Sequence, residues 1–308
     1  MIIRTFYRAV FIFMFIALAG CGGGNGNTQG SGTLQLGITD APVDSAEKVV
    51  IYFEQMVLHH ESGDIPKDVY DPVTGLKGYS IDLLTLQAGQ WTGLLDDTLP
   101  AGHYSWIRLK IDLSKSYIQI AGNRYDLRCT SCDNNGYKLN SSFNIEKDAV
   151  IAYMLDFDLR KSITEARNGT QYILRPTLRT IKTAASGRLT GSVDPTLISN
   201  LGGSEGCNVY VFDGHDATPD DIYIPFNSTM PATQNNPVSS GKVIVSDTGG
   251  YEDTVAFLPE GDYTAALTCD AENDSADSDD VLTFAIAANV SITAGAITVY
   301  DFMMPVSP

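Results

Sequence analysis

From Thr33 onward, apolar and polar residues alternate with a period of two. Leu34, Leu36 and Ile38 share one parity, as do Val49, Ile51, Phe53 and Val57 in a second run and Ile107, Leu109 and Ile111 in a third. Successive side chains of a strand point to opposite faces, so this pattern predicts strands with one buried face. Tyr117–Ile120 and Arg124–Leu127 flank Ala121-Gly122-Asn123, as in a hairpin, and Val150–Phe157 and Tyr172–Lys182 read as further strands. Short helices are expected only around Ile81–Leu86 and Lys161–Ala166. A break falls at Ala184-Ala185-Ser186-Gly187. Beyond it, strands are predicted at Arg188–Val193, Asn208–Asp213, Lys242–Ser246, Tyr251–Leu258, Tyr263–Thr268, Val281–Ala287 and Ala296–Met303, with residues 214–241 as a long polar surface loop.

One turn occurs twice, as Leu99-Pro100-Ala101-Gly102-His103-Tyr104 and as Leu258-Pro259-Glu260-Gly261-Asp262-Tyr263. Proline fixes φ at the corner, glycine allows a left-handed backbone two residues later, and tyrosine supplies bulk to the next strand. The expected fold is therefore all-β, two tandem β-sandwich domains at 33–184 and 186–308 built on related plans.

Charge is partitioned unevenly. Of the 37 acidic residues, 19 lie in 33–185 beside 16 basic ones, and 18 lie in 186–308 beside only Arg188 and Lys242. Affinity for nucleic acid rests on neutralising phosphates with Lys and Arg, so an acidic half of this kind excludes nucleic-acid partners.

The first twenty residues read as a targeting segment rather than as part of the fold. Arg4 and Arg8 precede an apolar core from Ala9 to about Ala19, with no acidic residue before Cys21. The run is about half the ~20 residues a spanning helix needs. Leu18-Ala19-Gly20-Cys21 resembles a bacterial lipobox, which implies cleavage before Cys21 and acylation of its sulfur and nitrogen. Several acyl chains on one residue give a durable anchor where a single chain, at ~0.8 kcal/mol per buried methylene, is marginal. By the same resemblance, Gly22 in place of aspartate favours the outer membrane, on its periplasmic or cell-surface side. Residues 21–32 then form a Gly-rich tether spanning roughly 18 Å.

An envelope location makes the four remaining cysteines read as disulfides. Cys129 and Cys132 form a CxxC between strand-like runs, which suits a loop-closing bridge; a redox pair or half a metal site are the alternatives. Cys207 shares its parity with Val209 and Val211, and Cys269 with Ala265 and Leu267, so both sulfurs should enter one core and pair.

Thr39-Asp40-Ala41-Pro42, the run Lys48–His60, Asp82-Leu83-Leu84, the turn ending in Tyr104 with Ile107-Arg108-Leu109, and Leu174-Arg175-Pro176 together resemble the domain-of-unknown-function family numbered forty-three eighty-two, found in bacterial lipoproteins. Gly187–Val193, Gly250-Tyr251 and Leu258–Tyr263 resemble the carboxypeptidase-regulatory-like, transthyretin-like sandwiches. These resemblances imply accessory modules and no activity.

Candidate chemistry is sparse. Residues 270–280 carry Asp270, Glu272, Asp274, Asp277, Asp279 and Asp280, dense enough in oxygen to interest calcium, although the spacing is not that of an EF-hand. Asp213, Asp216, Asp220 and Asp221 form a second acidic loop, expected at the opposite end of the sandwich, on the order of 20 Å away. Asp156 and Asp158 share a strand face that is expected to be exposed, at roughly the separation of an inverting glycosidase pair. Tyr104, Trp106, Arg108 and Lys110 share one parity; their rings are expected to pack under a neighbouring loop while the cations reach outward, and an aromatic-basic stripe for a sugar ring is the alternative. No nucleophile elbow, zinc helix or cofactor motif occurs.

No catalytic, cofactor or metal residue is therefore assigned, and an enzyme is not expected. The chain reads as a lipid-anchored envelope protein, a non-catalytic binding or scaffolding module. Its partners are outer-membrane lipid through acylated Cys21 and an envelope protein or glycan. A carbohydrate-binding or calcium-binding accessory lipoprotein is the alternative, and an envelope hydrolase the third choice.

Overall fold

The computed structural model describes residues 30–41, 46–132, 135–167, 169–203, 206–225, 229–231 and 233–304. Cys21, its lipobox and most of the tether lie outside the described residues. The N-terminal half contains β1 (Ser31–Ala41), β2 (Lys48–His60), β3 (Gly63–Asp68), β4 (Tyr79–Asp82), β5 (Thr92–Pro100), β6 (Gly102–Ile111), β7 (Tyr117–Ile120), β8 (Asn123–Arg128), β9 (Tyr137–Leu139), β10 (Phe143–Ile145), β11 (Val150–Asp158), the one-turn helix α1 (Leu159–Ser162), β12 (Ile163–Ala166), β13 (Gln171–Leu174) and β14 (Leu178–Lys182). The C-terminal half contains β15 (Ser186–Val193), α2 (Pro195–Asn200), β16 (Asn208–Asp213), β17 (Ser239–Lys242), β18 (Ile244–Val245), β19 (Tyr251–Pro259), β20 (Gly261–Thr268), β21 (Phe284–Ile292) and β22 (Ile297–Val299).

The protein is all-β. In the first half a four-stranded sheet, ordered β14-β11-β1-β5, faces a ten-stranded sheet whose main path is β10-β6-β2-β7-β8-β13-β12. The alternation of β1 places Leu34, Leu36 and Ile38 at no more than 1% exposure, packed with Ile51, Phe53, Leu58 and Phe157. A fully buried side chain of this kind contributes roughly 1.5–3 kcal/mol. In the second half, sheets ordered β18-β19-β15-β22 and β17-β16-β20-β21 enclose a smaller core around Leu189, Val209, Val255, Leu258, Leu267 and Phe302.

The two sandwiches share one frame. In each, a central strand pairs antiparallel with the strand that ends in the repeated proline and parallel with a later strand. β1 lies between β5 and β11, and β15 lies between β19 and β22. Ser31 stands opposite Pro100, and Ser186 opposite Pro259. The Thr33 N–H donates to the Ala149 carbonyl (2.8 Å), and the Arg188 N–H to that of Ala296 (3.1 Å). Past each proline the Tyr104 hydroxyl donates to the Pro100 carbonyl at 2.8 Å and the Tyr263 hydroxyl to the Pro259 carbonyl at 2.9 Å, which closes both corners alike. Gly32 and Gly187 occupy matching places for a steric reason. A Cβ would sit 2.3 Å from the Glu146 carbonyl oxygen in one and 2.5 Å from the Thr293 oxygen in the other.

Several expectations need correction. Helix α1 begins earlier than expected, and Ile163–Ala166 is a strand; Asp158 caps the helix by accepting from the Lys161 N–H. Helix α2 was not foreseen, although Asp194 at its N-cap and Pro195 in its first turn are ordinary start signals. Residues 214–241 are not simply a surface loop. Ile222, 1% exposed, packs with Tyr210, Phe212, Ala266 and Ala271 on the outer face of the β16/β20 sheet, and Ser239–Lys242 forms β17. No helix among the described residues is long and apolar enough to cross a membrane.

Candidate binding cleft and the seam between the sandwiches

A cleft of about 740 Å³ opens on the N-terminal sandwich, where the two facing sheets end at β3 and β5. Gly93, Leu94, Leu95, Asp96 and Asp97 of β5 line one side, and Pro66, Lys67, Asp68, Tyr70, Pro72 and Gln55 line the other. β5 is the last strand of its sheet, so among the described residues its outer backbone edge, on the side of the cleft, has no strand partner. Lys67 pairs with Met56, a core position, and therefore points inward, reaching β5 through an ion pair with Asp97 (2.6 Å). Gln55 donates to Asp68 (3.0 Å) and Lys77 approaches the same carboxylate (3.0 Å). These two bonds, the Gln55 contact first, hold Asp68 below the usual carboxylate range. Tyr70 alternates with the fully buried Val69 and is 53% exposed. Among the described residues Tyr70 and Trp91 are the only aromatic side chains more than half exposed, and they flank β3 and β5.

Sequence reasoning passed over this cleft. The visible signals were Tyr70 between Pro66 and Pro72 and the Asp96-Asp97 pair, but the meeting of two sheet edges is a tertiary fact.

The proposed sugar stripe is broken. A register shift between His59 and His60 on β2 places Trp106 opposite His59 and Tyr104 opposite His60. Tyr104 thereby turns into the core at 0% exposure, stacked on Phe143, and burial pushes its hydroxyl up to about 12. Trp106 stays outside, with the His59 ring parallel to it at 4.6 Å and Arg108 and Lys138 at 4.6 and 4.9 Å from its centre. Three intramolecular partners already engage the indole.

The carboxylate pair is not on an exposed face. Asp156 and Asp158 are 4% and 7% exposed, and each is committed to a cation, Asp156 to Arg179 (2.6 Å) and Asp158 to Lys161 (2.7 Å).

The acidic loops converge instead of lying at opposite ends. Oxygens of Asp221, Asp274 and Asp280 lie within 4.8 Å of one another. The reason is the path of the chain. After Asp213 the segment carrying Ile222 folds back along the sheet toward the Cys269 end, where the Ile224 N–H donates to the Ala276 carbonyl (2.8 Å). Each carboxylate already accepts from protein donors: Asp221 from Gln234 and the Asp280 N–H, Asp274 from the Tyr210 hydroxyl and the Ile222 N–H, and Asp280 from the Ser275 N–H and Ser278. Burial pushes Asp274 up to about 6, offset in part by the Tyr210 hydroxyl and the Arg160 charge.

Arg160 joins the halves. It is 5% exposed on α1, donates to the Ala271 carbonyl and lies over the Tyr210 ring (5.8 Å). Beside it Lys161 donates to the Pro237 carbonyl (2.7 Å), Thr164 donates to Asp277 (2.8 Å), and Arg175 lies 3.7 Å from Asp277.

The structure joins Cys129 to Cys132 across a 3-10 turn, and Cys207 to Cys269 between β16 and β20 with Cα atoms 3.8 Å apart.

Two facing sheets with a repeated tyrosine corner and an open cleft at one rim define an all-β sandwich protein. Residues 31–176 match the model of the family described as Domain of unknown function (DUF4382). No curated protein matches the chain. Among solved structures, it is similar to the TIE protein of Bacillus anthracis (13% identity, 88% of this chain and 33% of that one, TM-score 0.20). It is also similar to a leucine-rich repeat protein from Bacteroides thetaiotaomicron (14%, 91% and 26%, 0.21) and to a putative cell adhesion protein from Bacteroides fragilis (12%, 84% and 82%, 0.22). The chain thus spans about a third and about a quarter of the first two. Scores this low define no common fold.

Proposed function

We propose that this chain is a lipid-anchored, non-catalytic binding or scaffolding protein of the cell envelope. Acylated Cys21 and the tether to residue 32 hold two sandwich domains, 33–184 and 186–308, at the outer membrane, and the contacts around Arg160 join them. The observation that carries the reading is the cleft between β3 and β5, an open and partly apolar rim where an edge strand of one sheet meets the facing sheet. The carboxylates that could mimic a catalytic pair are instead locked in ion pairs with Arg179 and Lys161, which favours binding over hydrolysis.

The test is photo-crosslinking in intact cells from a side chain placed at Asp96, with identification of the captured neighbour, alongside fractionation of Cys21→Ala. A defined neighbour, lost when the crosslinker is moved to the far face, and release of the Cys21→Ala protein from membranes are expected. An unmodified mature N-terminus elsewhere by mass spectrometry would remove the anchor, and no cleft-specific neighbour would remove the binding module.

A further inference from the structure

The shared frame makes the two sandwiches controls for one another. Aligning the repeated prolines makes β19 the counterpart of β5, with Tyr251 and Glu252 matching Thr92 and Gly93. On β19 the outer edge at those positions is covered: Ile244 pairs with Glu252 and Val245 with Tyr251 in an antiparallel ladder. On β5 no strand of the described residues occupies that place, and Gly93 lines the cleft instead. A Cβ on Gly93 would meet nothing within 4 Å, so the outer face of the strand is open at that position as well.

We infer that the cleft accepts an extended peptide segment of a partner protein, which adds to the outer edge of β5 as β18 adds to β19. This deepens the binding-module reading and rests on it. Strand addition draws affinity from main-chain hydrogen bonds and specificity from alternate side chains. The lining sets the partner's chemistry. Three carboxylates, Asp68, Asp96 and Asp97, stand against two lysines, Lys77 on Asp68 and Lys67 on Asp97, which leaves one net negative charge at Asp96, so a segment bearing a basic residue is favoured over an acidic one. Tyr70, Pro66 and Pro72 offer a flat apolar wall for its alternate, β-branched or aliphatic side chains. The volume lies within the range of roughly 300–1,000 Å³ usual for ligand sites.

The test is panning of a random decapeptide display library on the full-length protein in detergent, with enriched sequences remade as synthetic peptides. Enrichment of basic, β-branched peptides is expected, with slowed amide exchange confined to residues 93–97. N-methylation at alternate peptide positions should abolish binding in one register and leave the other within twofold. Asp96→Lys and Tyr70→Ala, both at exposed positions, should each weaken binding at least tenfold with unchanged melting.

Lack of enrichment, unprotected 93–97 amides, or indifference to N-methylation would overturn the inference. So would protection of the same amides by chitotriose or cellotriose while no peptide binds. If these fail while in-cell crosslinking still captures a neighbour from the cleft rim, the binding-module reading stands and strand addition falls.

Discussion

Asp253 on β19 is 1% exposed, and among the described residues its carboxylate meets no hydrogen-bond donor beyond its own backbone N–H. It faces Gly191 across the ladder, and Asp301 lies nearby, itself held ionised by the Ser192 N–H (2.8 Å) and hydroxyl (2.7 Å). Burial first, and the Asp301 charge second, push Asp253 from 3.8 to about 7. A carboxyl raised on folding keeps its proton in the native state while the unfolded chain releases it. Its contribution is therefore neutral below about pH 4, grows unfavourable as pH rises to about 7, and is constant above that. A shift of about three units corresponds to about 4 kcal/mol. Asp253→Asn removes the ionisation and keeps the shape. The stability of the variant minus that of the parent should therefore rise by about 4 kcal/mol between pH 4 and pH 8. Both tryptophans lie in the other half, so urea unfolding is best followed by far-UV circular dichroism. Parallel pH profiles for the two proteins would show that Asp253 is solvated or paired in the folded state and refute the reasoning.

Other consequences follow from single contacts. In Gly191→Ala the new Cβ would lie 1.7 Å from the Tyr300 carbonyl oxygen, so the C-terminal segment must shift, at a cost of about 1–3 kcal/mol in a urea melt; an unchanged midpoint contradicts this. Cys207→Ala with Cys269→Ala opens a loop with a sequence separation of 62, and the chain-entropy estimate is a loss of about 4 kcal/mol, read as a lower melting temperature. Arg160→Met removes the buried cation of the seam, and the cost is about 3–5 kcal/mol. Calorimetry should then resolve two transitions where the parent shows one, and Asp274 should titrate still higher than about 6 because the charge that lowers it is gone. A single unshifted transition would mean the seam carries no coupling.

Much of the fold was legible because parity is a local property. Leu34, Leu36 and Ile38 are buried as their alternation demands, and the hairpin around Ala121-Gly122-Asn123 forms as β7 and β8. The repeated Leu-Pro-x-Gly-x-Tyr turn signalled two related units. What remained hidden was a matching Ser-Gly pair, Ser31-Gly32 and Ser186-Gly187, whose meaning depends on loops from Glu146 to Ala149 and from Thr293 to Ala296. Parity fails wherever a bulge intervenes. One shifted residue between Tyr104 and Trp106 sends the first ring into the core and leaves the second outside.

The acidic loops show a different limit. Asp221 and Asp274 are far apart if the chain between β16 and β17 is imagined as an excursion into solvent, since six residues of strand separate the ends of the sheet. Yet Tyr210 and Phe212 alternate with Val209 and Val211, so β16 is apolar on both faces, and a strand of that kind must be covered on both. The cover had to come from the chain itself, and the segment through Ile222 together with Ala271 and Ala276 supplies it. The same reasoning applied to β5 gives the opposite result. Leu94 and Leu99 point into the core while Gly93, Asp96 and Thr98 lie outward without apolar bulk, so hydrophobic burial does not compel any segment of this chain to cover the outer face of that strand. Its edge, which no described strand covers while the twin unit covers the corresponding one, is where an outside strand can add.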